Sequence, residues 1–502
     1  MTQIPTHLDR ANPGLNARLV WLAIPAVGVA LAAAVLTEPI LSFAAILTLG
    51  LAFSVTRSMD WITYFVLFVI YSNVAVVAVK FHGVPPLAAN AVPLLLGVPL
   101  LYYVGWRRDG IVLGPALPWA ILFGIVQLLG VLCSGRPEIA WEGFQTYLIE
   151  GLCLYLLVTN LVRTPTALRG AIWSVLIAGC LMGGVPLLQQ LTGTFDNNYG
   201  GMAQTDDDEG FKTGIFTAVG ETMQPRLAGP IGEKNRYGQI MLLLIPLGLY
   251  RLRSEDHVGL RAAVLIALFL IATGVLLAFS RGMIVAAGLV VLFAAGMGYV
   301  SRTKVAVGFL LVLAALLLTP QYRVRLASLA NISQLASSGK YSTADGALKG
   351  RAAEMGAAAL VFLDNPVVGV GPGMFRHYAR EYGERIGMRA LERERQSHCL
   401  PLDVAAENGL LGFLCLLAIF WVTCRSLGRA RQLCRHAHPK LSDTATAFLL
   451  VIVVYLASGL FLHFAFIRYF WLMLALADAA ALIALRADCE RQNQSFRAAT
   501  AA

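Results

Sequence analysis

At 502 residues, 58% hydrophobic and only 14% charged, with a mean hydropathy of +0.69, the chain holds more apolar surface than a soluble core can bury; this excludes an ordinary soluble domain and points to a polytopic membrane protein. The net charge of +10 needs no nucleic-acid partner, because the basic residues fall in alternate loops, as set out below. Eight cysteines without CxxC spacing imply neither a disulfide framework nor a metal site.

Apolar windows of about 16–24 residues, the length that crosses the hydrocarbon core, begin near Leu19, Ile40, Trp61, Leu87, Pro115, Tyr147, Leu168, Tyr237, Ala262, Gly282, Val305, Leu402, Thr444 and Ile467. The fold class expected is therefore an all-α polytopic membrane protein with about 12–14 transmembrane helices. Arg10 and Arg18 before an Ala-rich run ending AAAVLT resemble a signal peptide, but with so many later spans this segment is expected to be a retained first helix. The second window is short and the fourth carries Pro93 and Pro99. The expected division is an N-terminal transmembrane part over 1–318 with an outer loop at 192–234, a large outer loop over 319–401, C-terminal transmembrane helices over 402–485, and a tail over 486–502.

Loop charge sets the sidedness. Arg107 and Arg108, Arg163 and Arg169, Arg251, Arg253 and Arg261, Arg302 and Lys304, the run Arg425 to Lys440, and the tail with Arg486, Arg491 and Arg497 fall on one side, which the positive-inside rule assigns to the cytoplasm. Both long loops then face outward. The larger one, Thr319 to about Pro401, contains helix-like runs such as ALKGRAAEMGAAALVFL and is expected to be a partly helical subdomain rather than a connector. The run Asp206 to Glu209 in the other loop lacks the alternating spacing of a calcium loop and is expected to be solvated.

Arginines on the outer side need a reason. In LLAFSRGMIVAAG, Arg281 sits between two apolar windows at the outer mouth of a helical hairpin, where an ionisable group is a functional-site hypothesis; snorkelling to headgroups is the alternative. QPRLAGPIGEKNRYGQIMLLLIP puts Arg226 in a Gly/Pro-rich turn and Arg236 near the start of the next helix, whose N–H groups favour anions and to which a guanidinium adds a bidentate phosphate donor. A solvated loop is the plainer reading of each alone. Gly369, Gly371 and Gly373 in DNPVVGVGPGMF form either an oxyanion cradle or a structural turn. Arg351, in KGRAAEMG, either joins the cationic cluster or lies on a solvated helix face.

In SHCLPLDVAAENGLLGF, Pro401 suits the first turn of a helix, so His398 lies just outside its positive end. That position disfavours imidazolium, and a neutral imidazole is what a general base requires; a merely interfacial histidine is the alternative. Asp403 and Glu407 lie four apart on the helix beneath it, Glu407 being the second candidate base, and Gly409 and Gly412 permit close helix packing.

In this order the segments RLAGPIGEKNRYGQIMLLLIP, FSRGMIVAAG, DNPVVGVGPGMF and SHCLPLDVAAENGLLGF resemble the O-antigen ligase and polysaccharide polymerase superfamily, over about Arg226 to Phe413. The resemblance implies a C-type glycosyltransferase-like architecture in the bacterial inner membrane, with its active site facing the periplasm. It implies an undecaprenyl-diphosphate-linked glycan as donor and, as acceptor, lipid A-core for a ligase or a second lipid-linked glycan for a polymerase of O-antigen or exopolysaccharide. It also implies metal-independent transfer without a cofactor, with inversion at the anomeric carbon. By position, the family's functional residues fall on Arg226 or Arg236, on Arg281 and on His398. Cys399 stands where the ligase pattern has Asn, Ser or Gln, while the interval from Leu400 to Asn408 and the glycines Gly409 and Gly412 fit. A transporter or flippase of lipid-linked glycans is the competing class, but transporter sites lie near the midplane in repeated halves, and the charges here gather at one face.

Overall fold

The computed structural model of the protein describes residues 59–205, 226–298, 301, 303, 346–386, 395–464 and 467–501. The apolar windows near Leu19, Ile40 and Val305, and the acidic run Asp206 to Glu209, lie outside the described residues. Every other window is helical, as lipid demands: a spanning backbone must satisfy its own N–H and C=O groups.

Helix α1 (Met59–Ser72) and α2 (Val74–His82) are bent by 56° relative to each other at Asn73, a non-glycine residue at φ +61°. A broken segment, Pro86–Ala91 and then Pro93–Trp106, follows, its interruptions set by the prolines. Then come α3 (Leu117–Cys133), α4 (Pro137–Leu161) and α5 (Pro165–Thr192). A two-stranded antiparallel pairing of β1 (Gln204–Thr205) with β2 (Leu227–Gly229) interrupts the helices between α5 and α6. Next are α6 (Lys234–Ser254), α7 (Val258–Leu277) and α8 (Arg281–Gly296). Helices α9 (Gly346–Asp364) and α10 (Phe375–Ile386) lie in the segment between α8 and α11, and α11 (Leu400–Ala437), α12 (Pro439–Gly459) and α13 (Ile467–Ala501) complete the described chain. Among the described residues, 6 helices are long and apolar enough to cross a membrane, or 7 with the bent pair counted as one span. The protein is an all-α polytopic membrane protein.

Helix α6 is central, packed by α5, α7 and α12, and α11 packs on α12, α13, α3 and α9. Helix α7 by contrast leaves Leu265, Ile266 and Phe269 exposed, a surface suited to acyl chains.

Two segments differ from expectation. The basic run from Arg425 to Lys440 is not a loop: α11 continues to Ala437 and α12 begins at Pro439. Leu427, Ala430 and Cys434 stay fully buried there, a helical-period stripe that keeps the helix packed while the arginines project from its other face. The tail likewise continues α13, which runs to Ala501.

The ends of the helices separate by charge. At one end Arg169 pairs with Glu255 at 2.7 Å and Lys440 with Asp256 at 2.7 Å, Arg251 also pairs with Glu255, and Arg431 Nη2 donates to the Met297 carbonyl at 2.9 Å. The starts of α6, α8 and α11, the end of α12 and the whole of α9 and α10 lie at the other.

Candidate active site

At the start of α6, Glu233 caps the helix: its carboxylate accepts from the Asn235 amide at 2.8 Å and the Arg236 amide at 2.7 Å. The helix terminus expected to offer open N–H groups to an anion thus already holds a carboxylate, which leaves anion binding to the guanidinium groups. Asn235 Oδ1 accepts from Ser280 Oγ at 2.9 Å and from Arg226 Nη2 at 3.4 Å, while Arg226 Nε donates to the Ala278 carbonyl at 3.0 Å. Arg226 therefore ties the β2 entry to the tight α7–α8 corner. There Phe279 takes φ +47°, and Arg281 is the first residue of α8.

Arg236 is almost fully buried, at 2% exposure. Its Nη1 donates to Gln239 Oε1 at 2.7 Å and its Nη2 to the His463 carbonyl at 2.6 Å. The His463 ring stands edge-on to His398, centroids 5.9 Å apart. Burial, the Arg236 guanidinium and the neighbouring His398 hold the His463 imidazole well below its usual range, so it stays neutral.

His398 precedes α11, whose first turn holds Pro401. Its Nδ1 lies 2.8 Å from Glu354 Oε2 and 3.2 Å from the Gln396 carbonyl. Glu354, 1% exposed, comes from α9, and its other oxygen accepts from Arg395 Nη1 at 3.1 Å. Arg351 is on the same helix, one turn before Glu354, and is half-buried.

Beneath His398 the two α11 carboxylates anchor other segments. Asp403 Oδ2 accepts from the Phe464 amide at 2.9 Å, tying the α12–α13 connection to α11. Glu407 accepts from the Gly373 amide at 2.9 Å and the Phe375 amide at 3.2 Å. The glycine run 369–373 is thereby the structural turn: Val370 and Gly371 donate to the Ala406 and Glu407 carbonyls, and Met374 donates back to Gly371. Gly409 breaks α11 at φ +63°, ψ −168°, a conformation essentially reserved for glycine. The break lets Leu410 and Leu411 donate to Pro366 and Val367. Gly409 thus serves loop docking, whereas a Cβ at Gly412 would overlap the Asn408 side chain of the same helix and meet Phe123 of α3 only at ordinary contact distance.

The structure brings Arg226, Arg236, the Ser280–Arg281 corner and His398 to one end of the bundle, with Arg351 a helical turn from the carboxylate that holds His398. Both Glu407 oxygens meet backbone amides, so this residue is placed as an anchor of the 366–375 turn.

Sequence reasoning missed Glu354, His463 and Arg468. Arg468 donates to Asn73 Oδ1 at 2.6 Å and pairs with Glu150 at 3.1 Å, and Asn73 in turn donates to the Pro230 carbonyl at 2.8 Å. This knot fixes the RLAGPIG turn from the α1–α2 bend. His463 and Arg468 in LHFAFIRYF carried the same signal as Arg281, polar groups between apolar windows; Glu354, a lone acid in an alanine-rich helix, carried only a faint one. Among the described residues no group of three or more His, Cys, Asp or Glu side chains is placed to hold a metal ion.

The fold is that of a multi-pass membrane protein with buried arginines and a carboxylate-held imidazole gathered at one end of the bundle. Residues 266–417 match the family model described as O-Antigen ligase, and this match supports a relation of that region to the O-antigen ligase and polysaccharide polymerase superfamily. The matched region takes in Arg281, Arg351, His398 and Glu407, while Arg226 and Arg236 precede it. Among curated proteins, no sequence matches the chain.

Proposed function

We propose that the chain is a membrane glycosyltransferase that moves a glycan from undecaprenyl diphosphate to a hydroxyl acceptor at the periplasmic face of the bacterial inner membrane. The observation that carries this reading is the convergence of Arg226, Arg236 and the Arg281 corner with His398 at the end of the bundle opposite the basic helix ends. The family match supports glycan transfer of the ligase or polymerase type. A transporter site would be sought near the midplane at broken helices, whereas this cluster gathers at helix ends.

In the proposed reaction the Arg281 guanidinium, with that of Arg226 or Arg236 beside it and Arg351 from the large loop, holds the diphosphate. The acceptor hydroxyl oxygen attacks the anomeric carbon, the bond from that carbon to the diphosphate oxygen breaks, and the diphosphate leaves with the electron pair. His398 Nε2 takes the hydroxyl proton. Attack opposite the leaving group inverts the anomeric centre. Glu407, bonded to the Gly373 and Phe375 amides, keeps the turn beside α11 in place, and no step requires it to exchange a proton.

The acceptor separates two forms of the reaction, and the departure at Cys399 from the ligase pattern keeps both in play. Reconstituted protein supplied with a lipid-linked repeat unit, and offered lipid A-core or further donor, distinguishes them. Glycosylated core identifies a ligase and a ladder of lengthened lipid-linked glycan a polymerase. Translocation of donor without any new glycosidic bond would overturn the reading in favour of transport.

A further inference from the structure

The large outer loop contributes a buried carboxylate to the candidate site. Glu354 comes from α9, is 1% exposed, and divides its two oxygens between Arg395 Nη1 at 3.1 Å and His398 Nδ1 at 2.8 Å. We propose that Glu354 is the positioning residue for His398, holding the ring so that its proton sits on Nδ1 and Nε2 presents a lone pair to the acceptor hydroxyl. This inference rests on the glycan-transfer reading above.

The hydrogen-bond partners decide the tautomer. Nδ1 faces two acceptors, the Glu354 carboxylate at 2.8 Å and the Gln396 carbonyl at 3.2 Å. Neither can donate, so neutral imidazole in this pose carries its hydrogen on Nδ1. The remaining nitrogen is then the one able to accept a proton, the arrangement by which a carboxylate orients a catalytic histidine. The backbone is consistent with an imposed pose: His398 takes φ +22°, where a non-glycine residue is strained and stays only if its surroundings hold it. Arg395 shares the carboxylate, which restrains it from turning away from the ring. Among the described residues, the other charged or titratable groups facing His398 are Asp403, a turn into α11, and His463 from the α12–α13 connection, with Arg236 behind His463.

The loop subdomain is then part of the reaction machinery: its docking through the Gly369–Gly373 turn and through Glu354 sets the direction of the base. A chain whose α9 is displaced would keep Arg226, Arg236 and Arg281 in place but lose Arg351 together with the oriented imidazole.

The test uses full-length protein reconstituted with an undecaprenyl-diphosphate-linked repeat unit. In Glu354→Gln the single amide oxygen faces Arg395, which can only donate, and the NH2 faces Nδ1, which drives the hydrogen to Nε2 and removes the acceptor. The expected result is a kcat lower by about 10²-fold or more, with donor KM within about twofold and the acidic limb of the kcat profile displaced. Glu354→Asp, which keeps a carboxylate, recovers part of the loss, and Glu354→Gln added to His398→Ala lowers the rate no further. Nitrogen-15 NMR of histidine-labelled normal protein gives a readout that needs no variant to fold: the inference expects the hydrogen on Nδ1 of His398. Hydrogen on Nε2, a Glu354→Gln protein with normal kcat and an unmoved acidic limb, or losses that add in the double variant would overturn it. If His398→Ala alone keeps full activity, it is the underlying assignment of the base that fails.

Discussion

Replacing Gly409 with alanine probes the docking of the outer loop onto α11, the contact on which the site's geometry depends. Gly409 sits at φ +63°, ψ −168°, where a side chain costs about 1–3 kcal/mol in backbone strain alone. A Cβ there would lie 2.2 Å from the Val367 carbonyl oxygen and 2.5 Å from the Val368 nitrogen, and since both are backbone atoms no side-chain rotation relieves the overlap. The turn has to withdraw. Withdrawal breaks the Leu410–Pro366 and Leu411–Val367 hydrogen bonds, at 2.8 and 3.3 Å, each worth about 0.5–1.5 kcal/mol net. Strain and lost bonds together come to roughly 2–6 kcal/mol of local destabilisation. Because Glu407 holds the same turn through Gly373 and Phe375, transfer should fall along with stability. Thermal unfolding followed by size exclusion in detergent, together with repeat-unit transfer by the reconstituted protein, measures both. Gly409→Ala protein with unchanged unfolding temperature and activity would refute the docking argument, whereas the same change at Gly428, whose Cβ position meets nothing within 4 Å, should be silent.

Arg281→Ala and Arg281→Lys should each lower transfer at least about tenfold without loss of expression, since lysine lacks the planar fork that matches two phosphate oxygens; full activity with lysine, measured by product per unit of folded protein, would reduce Arg281 to a simple charge. His463, held neutral by burial and by the Arg236 and His398 beside it, has a folded pKa below its unfolded value of about 6.5, so it contributes no pH dependence above that value and destabilises the protein as pH falls below it. Unfolding temperature measured across that range should therefore decline less steeply for His463→Asn than for the normal protein, and parallel curves would contradict the assignment. Cysteine-accessibility labelling in a background without the native cysteines should find positions 351 and 429, the latter exposed on α11, on opposite sides of the membrane; labelling from one side would reject the sidedness.

Much of the architecture was legible because lipid imposes it: apolar length and loop charge located the described helices and separated the basic ends from the site. Helix continuity at the surface was less visible, since the basic run after Arg425 looks like a loop until Leu427, Ala430 and Cys434 are seen as a buried stripe. The motif residues Arg226, Arg236 and His398 were legible as polar groups where none was required. Their partners were not. The capping of α6 by Glu233, the bond from Glu354 to His398 and the bond from Arg236 to the His463 carbonyl join segments far apart in the chain, and local pattern carries no information about such pairings. Glu407 illustrates the same limit: its spacing from Asp403 puts the two one helical turn apart, but only the fold shows the Gly373 and Phe375 amides that occupy it.

The central claim, that His398 accepts the acceptor's proton while the arginines hold the diphosphate, is tested most directly by single-turnover transfer in His398→Ala protein preloaded with the lipid-linked donor. The account predicts donor binding near that of the normal protein and a transfer step slower by about 10²–10⁴-fold, the usual contribution of a positioned base. Donor binding lost while the bound fraction still reacts at the normal single-turnover rate would contradict it, making His398 a binding residue and leaving the base to be found elsewhere in the cluster.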